Sequence, residues 1–297
     1  MADSGRVLVD FQPSGATRRL RAGEGVRLDL VEPPDRTVEG SRSPPRLCDH
    51  APLEIVYSDP WLAVFNKPPG LTVHPTGETT DGTLLQRVQA WVDTRTTSPA
   101  LLRASIVHRL DRQTSGAIVV AFAAAANRGL SEAFEEGTVS KSYLAVVEGM
   151  VGPDRQTVRS PIGRARAGSR VLMTCRGDGT DRKPAVTAVR VLRRFAGYTL
   201  VRCVPRTGRN HQIRVHMASL GHPLVGDEFY RAGGRFWPKR RPVVTGLPIT
   251  RHALHAERLA FAHPIGGAWL DVVAEVPADF GAALYALERS SQKDESG

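Results

Sequence analysis

Three cysteines, at positions 48, 175 and 203, are too scattered for a disulfide framework or a cysteine-built zinc site. His211 and His216 stand five residues apart without the intervening Glu of a zincin helix, so no metal is expected. No glycine-rich phosphate fingerprint is present, and no internal repeat. Apolar runs stay well short of the roughly 20 residues that span a bilayer. The N-terminus has no charged-then-apolar leader, since Asp3 and Asp10 flank only Val7-Leu8-Val9, and a cytoplasmic protein is expected. Lysine is scarce too: of 40 basic residues only Lys67, Lys141, Lys183, Lys239 and Lys293 are not arginine.

What is present is arginine, and a net charge of +10 over 297 residues. A GC-rich genome also raises arginine, so distribution is more telling than the total. Between Val201 and Ala260, eleven basic residues face only Asp227, Glu228 and Glu257. Charge so concentrated is the electrostatic footprint of a polyanion partner. Guanidinium groups fork onto phosphates and stack on bases, which suits RNA.

The length allows one large domain and a small one. Arg6–Asp10 and Gly25–Leu30 carry short strand patterns, with the basic run Arg18-Arg19-Leu20-Arg21 between them. Residues 33–51, rich in Pro, Ser and charge, form an expected linker between a small unit (1–32) and a large domain (52–289), with 290–297 as a tail. In the large domain, strands are expected at Leu53–Tyr57, Trp61–Phe65, Gly116–Phe122, Ser142–Glu148, Ala185–Leu192, Tyr198–Val204, Leu254–Phe261 and Trp269–Val276. Helices are expected at Asp81–Asp93, Ala124–Glu136, Asn210–Leu220 and Ala278–Arg289. Strands and helices mix without strict alternation, which predicts an α+β fold on a largely antiparallel sheet.

Two segments carry the chemistry. His108-Arg109-Leu110-Asp111-Arg112-Gln113-Thr114-Ser115-Gly116 sets one carboxylate between two arginines at the lip of a buried strand. Neighbouring positive charge keeps such an acid ionised, although an Asp in a loop also makes turns. Arg206-Thr207-Gly208-Arg209-Asn210-His211-Gln212-Ile213-Arg214-Val215-His216-Met217 places Arg209 and Arg214 on either side of a helix start, where backbone amides favour anions. An ordinary basic helix face on a solvated surface is the plainer alternative.

Together these segments resemble the RluA-type pseudouridine synthases. The matching residues include Asn66-Lys67-Pro68-Pro69-Gly70, Val73-His74-Pro75, His108–Gly116, Lys141–Val146 and Pro161-Ile162-Gly163. Thr207–His216, Gly221–Asp227, His255-Ala256 and Pro264 follow in order, so the likeness spans about Pro52 to Leu287. It implies a pseudouridine synthase fold, with a mixed, mostly antiparallel sheet flanked by helices and loops. Asp111 corresponds to the catalytic aspartate, Arg214 to its basic partner, and Tyr143 to the aromatic that stacks on the target base and serves proton removal. Arg109 corresponds to the residue filling the space left by a flipped nucleotide, and Arg209 to a phosphate contact. His108 and Arg112, which flank the acid, join them as expected RNA contacts, with His108 alternatively a support for the loop. His211 and Gln212 are expected only to position neighbours.

Isomerising uridine to pseudouridine moves no electrons and transfers no group, so no cofactor is expected. The resemblance implies RNA as the partner, with large-subunit ribosomal RNA expected first and transfer RNA next, and a monomer is expected. Arg6–Leu30 resembles the strand half of a ribosomal-protein-type RNA-binding module without its leading helices, a truncation or a remnant. The competing reading is a non-catalytic RNA-binding or ribosome-assembly factor. A kinase-like reading of His-Arg-Leu-Asp fails, because the spacing is wrong and no nucleotide loop precedes it.

Overall fold

The computed structural model describes residues 6–9, 12–14, 26–29, 53–75, 79–95, 102–167, 170–237 and 246–294. Two compact units divide the chain, Met1–His50 and Ala51–Gly297. The first holds β1 (Arg6–Val9), β2 (Gln12–Ser14) and β3 (Val26–Asp29) in an antiparallel sheet of order β2-β1-β3. Both apolar pieces expected as strands are strands, with Val7 opposite Leu28. The Arg18–Arg21 run and the expected linker lie outside the described residues.

In the second unit the chain runs β4 (Glu54–Ser58), β5 (Leu62–Lys67), α1 (Leu84–Asp93), β6 (Ser105–Ile106), β7 (Ser115–Ala121), α2 (Ala124–Glu136) and β8 (Ser140–Glu148). It continues through β9 (Arg155–Val158), β10 (Ile162–Ala167), β11 (Arg170–Thr174), β12 (Thr180–Lys183), β13 (Thr187–Phe195), β14 (Tyr198–Pro205) and α3 (Gln212–Ser219). The last elements are β15 (Tyr230–Arg231), β16 (Arg235–Phe236), β17 (Leu254–Ala262), β18 (Trp269–Val273) and α4 (Ala278–Asp294). Among the described residues no helix is long and apolar enough to cross a membrane.

Ten strands form the main sheet, in the order β4-β5-β7-β17-β8-β14-β13-β9, with β18 on β17 and β6 on β7. Every pairing is antiparallel except β7 with β17. The fold is therefore α+β, as expected. β7 is buried at every position, which is why its sequence is a continuous apolar run rather than an alternation. Alternate residues of β5 and β7 feed two clusters. Val64, Val119 and Leu130 of α2 lie in one, and Phe65, Ile118 and Val88 of α1 in the other. Farther along, α3 packs Ile213 and Met217 against Ala145 and Val201, while α4 packs Phe280 and Leu287 beside Val146.

Local chemistry sets the helix bounds. α1 starts at Leu84, not Asp81, because Thr83 and Gln86 form a capping box, each side chain accepting the other's backbone N–H. α2 has the expected bounds and stops at Gly137 in the left-handed region, φ 75°. α4 runs past Arg289 to Asp294, so the expected tail begins as helix; the Ser290 and Ser291 hydroxyls donate back to the Ala286 and Leu287 carbonyls. A three-stranded sheet, β11-β10-β12, was not foreseen, because Arg164 and Arg166 break any apolar pattern in β10. Ile162 and Met173 of that small sheet pack with Val215 and Ala218 of α3.

The parallel contact inside the sheet leaves no room for a side chain at Gly116. Ser115 and Gly116 pair with His255 and Ala256, and a Cβ on Gly116 (φ 113°) would lie 2.2 Å from the Ala256 carbonyl oxygen. Gly116→Ala should therefore cost roughly 3 kcal/mol or more, through backbone strain plus overpacking. A melting temperature within about 2 °C of wild type would contradict this, given the roughly 2–4 °C per kcal/mol of proteins this size.

Candidate active site

One row of residues crosses the middle of the sheet. Gly116 on β7 pairs with Ala256 on β17, which pairs on its other side with Tyr143 on β8. Adjacent strands lie about 4.8 Å apart, so this register sets Tyr143 about 10 Å across from the start of β7. The loop carrying Asp111 ends at that start.

The loop is held carbonyl by carbonyl. The Asp111 carbonyl accepts from the Thr114 amide at 3.0 Å. That of Arg112 accepts from the Gly70 amide at 2.9 Å and the Lys67 ammonium at 3.1 Å. The Gln113 carbonyl accepts from the Arg251 guanidinium at 2.9 Å. Side chains continue the pattern: Thr114 bonds His252 at 2.9 Å, and Ser115 bonds His255 at 3.0 Å. Lys67 is fully buried and also donates to the Pro68 and Leu71 carbonyls. Burial and the charge of Arg251 push its ammonium down to about 7, against the pull of Asp111. Burial likewise drives His252 down to about 3, leaving it neutral.

Arg214 closes the site from α3. Its Nε and one terminal nitrogen fork onto Asp227 at 2.7 and 2.9 Å, and the other terminal nitrogen donates to Asp111 at 2.9 Å. Asp227 also accepts the amides of Phe229 and Tyr230, and the guanidinium lies 5.1 Å from the Tyr230 ring centre. The two acids differ in exposure: the Asp227 side chain is 1 % exposed and that of Asp111 is 20 %. Asp227 is thus an internal counter-ion, and Asp111 reaches the cleft. Burial would lift the Asp111 carboxyl, but positive charge at His211, Arg214 and His252, with the Arg214 hydrogen bond, holds it well below the usual carboxylate range. Because burial pushes both histidines towards neutrality, the lasting charge is that of Arg214.

A cleft of about 840 Å³ opens over this carboxylate, lined by His74, Arg109, Asp111, Lys141, Tyr143, Arg209, His211 and Arg214 among others. Burial and the charge of Asp111 raise the Tyr143 phenol, so it is neutral at physiological pH. Lys141, two residues before Tyr143 on β8, lies 5.5 Å over the Phe134 ring. It has no carboxylate partner among the described residues, and burial lowers its ammonium.

Asp111, Tyr143 and Arg214 are therefore brought together, with Arg109 and Arg209 on the cleft wall. Arg209, half-buried, also donates to the Pro184 carbonyl at 3.1 Å, and exposed Arg112 to that of Gly70 at 3.1 Å. The His108 ring turns inward. Its Nε2 accepts the Val119 amide at 3.0 Å, it stacks 4.5 Å from Phe134, and burial drives it down to about 3. That geometry is a loop support. Nor is α3 a solvated basic face, since every residue from Gln212 to Ala218 is buried. Gln212 organises the preceding loop, accepting from Thr207 and the Arg209 amide and donating to the Val186 carbonyl. Sequence reasoning gave no role to Asp227, Lys67, Tyr230 or Lys141. Lys67 and Asp227 lie inside matched segments and Tyr230 just beyond one, where nothing local marks them as partners of Asp111 or Arg214.

A family model for RNA pseudouridylate synthase matches residues 62–219. A "Ribosomal large subunit pseudouridine synthase D" of Xanthomonas campestris is 38 % identical over 293 residues, 98 % of this chain and 83 % of that protein. Its counterpart in Nitrosomonas europaea is 40 % identical over 95 % of this chain and 76 % of its own length. Among solved structures, human RNA Pseudouridylate Synthase Domain Containing 1 superposes with a TM-score of 0.60 at 30 % identity, covering 76 % of this chain and 84 % of that one. With the motifs in order and the cleft assembled around Asp111, the chain belongs to the RNA pseudouridylate synthase family, and its activity is the isomerisation of uridine in RNA.

Proposed function

We propose that Asp111 is the reacting carboxylate of this isomerisation, and that the substrate is large-subunit ribosomal RNA. The observation that carries the first part is the Arg214 bridge. It fixes an ionised carboxylate, partly exposed, on the floor of a cleft ringed by arginine. The names of the Xanthomonas and Nitrosomonas relatives support the second part.

In this reading a uridine leaves its stack and enters the cleft, because its ring cannot be reached inside folded RNA. Tyr143 offers the flat face on which the uracil stacks. Arg109 occupies the gap left behind, while Arg209 and Arg112 contact phosphates. The bond from sugar to ring nitrogen breaks, the uracil turns while held, and a bond from sugar to ring carbon forms in its place. The proton on that carbon must then leave. A neutral Tyr143 phenol can relay it by giving its own proton to the ring nitrogen freed in the first step, so the proton lost from the carbon is made good on that nitrogen. Electrons and atoms balance within the substrate, so the reaction requires no oxidant or second substrate. The N-terminal strands, with the basic run between them in sequence, form an auxiliary RNA-contacting unit that resembles the strand half of a ribosomal-protein-type module. Residues 33–51 link it to the catalytic domain, and the protein works as a cytoplasmic monomer.

Three outcomes are expected. Asp111→Asn should lower pseudouridine formation by roughly 10⁴-fold or more while RNA binding persists, the scale on which loss of a nucleophile acts. Carbodiimide-stop mapping of ribosomal RNA from a deletion strain carrying the variant would show it, and full modification would remove Asp111 from the reaction. Arg214→Lys keeps the charge but cannot fork onto Asp227 and reach Asp111 together, so single-turnover rates should fall roughly 100-fold with RNA affinity little changed. Because the folded Asp111 carboxyl lies below its ordinary value, it stays ionised as pH falls through the usual carboxylate range. The rate should thus show no acidic limb with a midpoint near about 4; finding one would contradict the Arg214 assignment.

A further inference from the structure

His211 has no part in the steps above, yet it is held more firmly than any of them requires. Its backbone lies in the left-handed region, φ 54° and ψ 20°, which is unusual for a residue with a side chain and marks a position its surroundings enforce. The ring stands edge-on to Tyr230 at 5.7 Å and parallel to Phe229 at 6.4 Å. Asp111, Arg214, Asp227 and Arg109 are the charges around it.

Hydrogen-bond accounting fixes which ring nitrogen carries the proton. The Tyr230 oxygen accepts the Met173 amide at 3.1 Å. The buried hydroxyl's own hydrogen needs an acceptor, and Nδ1 of His211 at 2.7 Å is its other bonded partner among the described residues. Nδ1 is then an acceptor, and a neutral ring holds its hydrogen on Nε2. That nitrogen lies 3.9 Å from Asp111 Oδ1, while Arg214 occupies Oδ2. The opposite tautomer would turn a lone pair towards the carboxylate.

We infer that His211 is a positioning residue for the reaction. The Tyr230 hydroxyl locks it as the Nε2–H tautomer, and that N–H is the donor aimed at the open oxygen of Asp111. At 3.9 Å the pair is beyond bonding distance, and a shift of about 1 Å brings it within reach, as catalytic contacts do when substrate enters. The small sheet takes part as well, since the Met173 amide on β11 donates to the Tyr230 oxygen and holds it beside His211. The inference rests on Asp111 being the reacting carboxylate.

The test uses the full chain labelled with ¹⁵N-histidine, with His211→Phe identifying the His211 signals by their loss. Wild type should show a protonated Nε2 and an unprotonated Nδ1, and Tyr230→Phe should lose that preference while keeping the ring against Arg214. In single-turnover assays Tyr230→Phe and His211→Phe should each lower kcat roughly tenfold with KM unchanged, the scale of one hydrogen bond to a charged group. His211→Gln, whose amide can donate from the same place, should recover part of the loss. An Nδ1–H tautomer in wild type would overturn the inference. So would an unchanged kcat in both Phe variants alongside an inactive Asp111→Asn. A fully active Asp111→Asn would instead refute the Asp111 assignment and the positioning role with it, whichever tautomer His211 shows.

Discussion

A guanidinium buried between two carboxylates is the interaction on which the rest of the site depends. Charged side chains are rarely placed in a protein interior, because the loss of water costs several kcal/mol per ion unless each is paired and hydrogen-bonded. Arg214 meets that condition through the fork to Asp227, whose remaining lone pairs take two backbone amides. Only because Asp227 already neutralises and orients the guanidinium can its third nitrogen serve Asp111. The division of labour is one acid that anchors the guanidinium in the interior and one that faces the cleft.

Around that core the protein puts unusual polar investment behind a loop of a few residues. Lys67, Arg251, His252 and His255 are all buried, and each bonds the Asp111 loop or the strand it enters. Arg251 is a cation and Lys67 is one when protonated, and both donate to loop carbonyls while Arg214 donates to the Asp111 carboxylate. A carboxylate there is held in its charged form from several directions. Burial by itself would neutralise the acid, and the paired charge of Arg214 outweighs it.

Much of this was legible in the sequence. The apolar run of β7, the stripe on α1 and Gly137 after α2 announce elements through hydrophobic period and backbone freedom, which are local properties. Asp111, Tyr143 and Arg214 were reached because their motifs stand in an ordered series. What stayed hidden is relational. Nothing near Asp227 says that it grips Arg214, and nothing near Tyr230 says that its hydroxyl meets His211. His108 was expected to touch RNA but turns into the protein, since a histidine beside an arginine reads alike whether its ring faces water or Phe134. The strands β10 to β12 escaped because arginines on a small sheet resting against a helix mask the alternation that marks a half-buried strand.

The parallel joint between β7 and β17 bears on when the enzyme becomes competent. Its two halves, at Ser115–Gly116 and His255–Ala256, are about 140 residues apart in the chain. At roughly 5–20 residues per second, synthesis leaves the first half waiting on the order of ten seconds for the second. Until β17 arrives, β7 lacks its central neighbour, Arg251 and His252 are missing from behind the Asp111 loop, and the row from Gly116 to Tyr143 has no middle. The Asp111 loop is made early but assembled late, so a nascent chain still on its ribosome, surrounded by ribosomal RNA, carries that loop before Arg251 and His252 brace it.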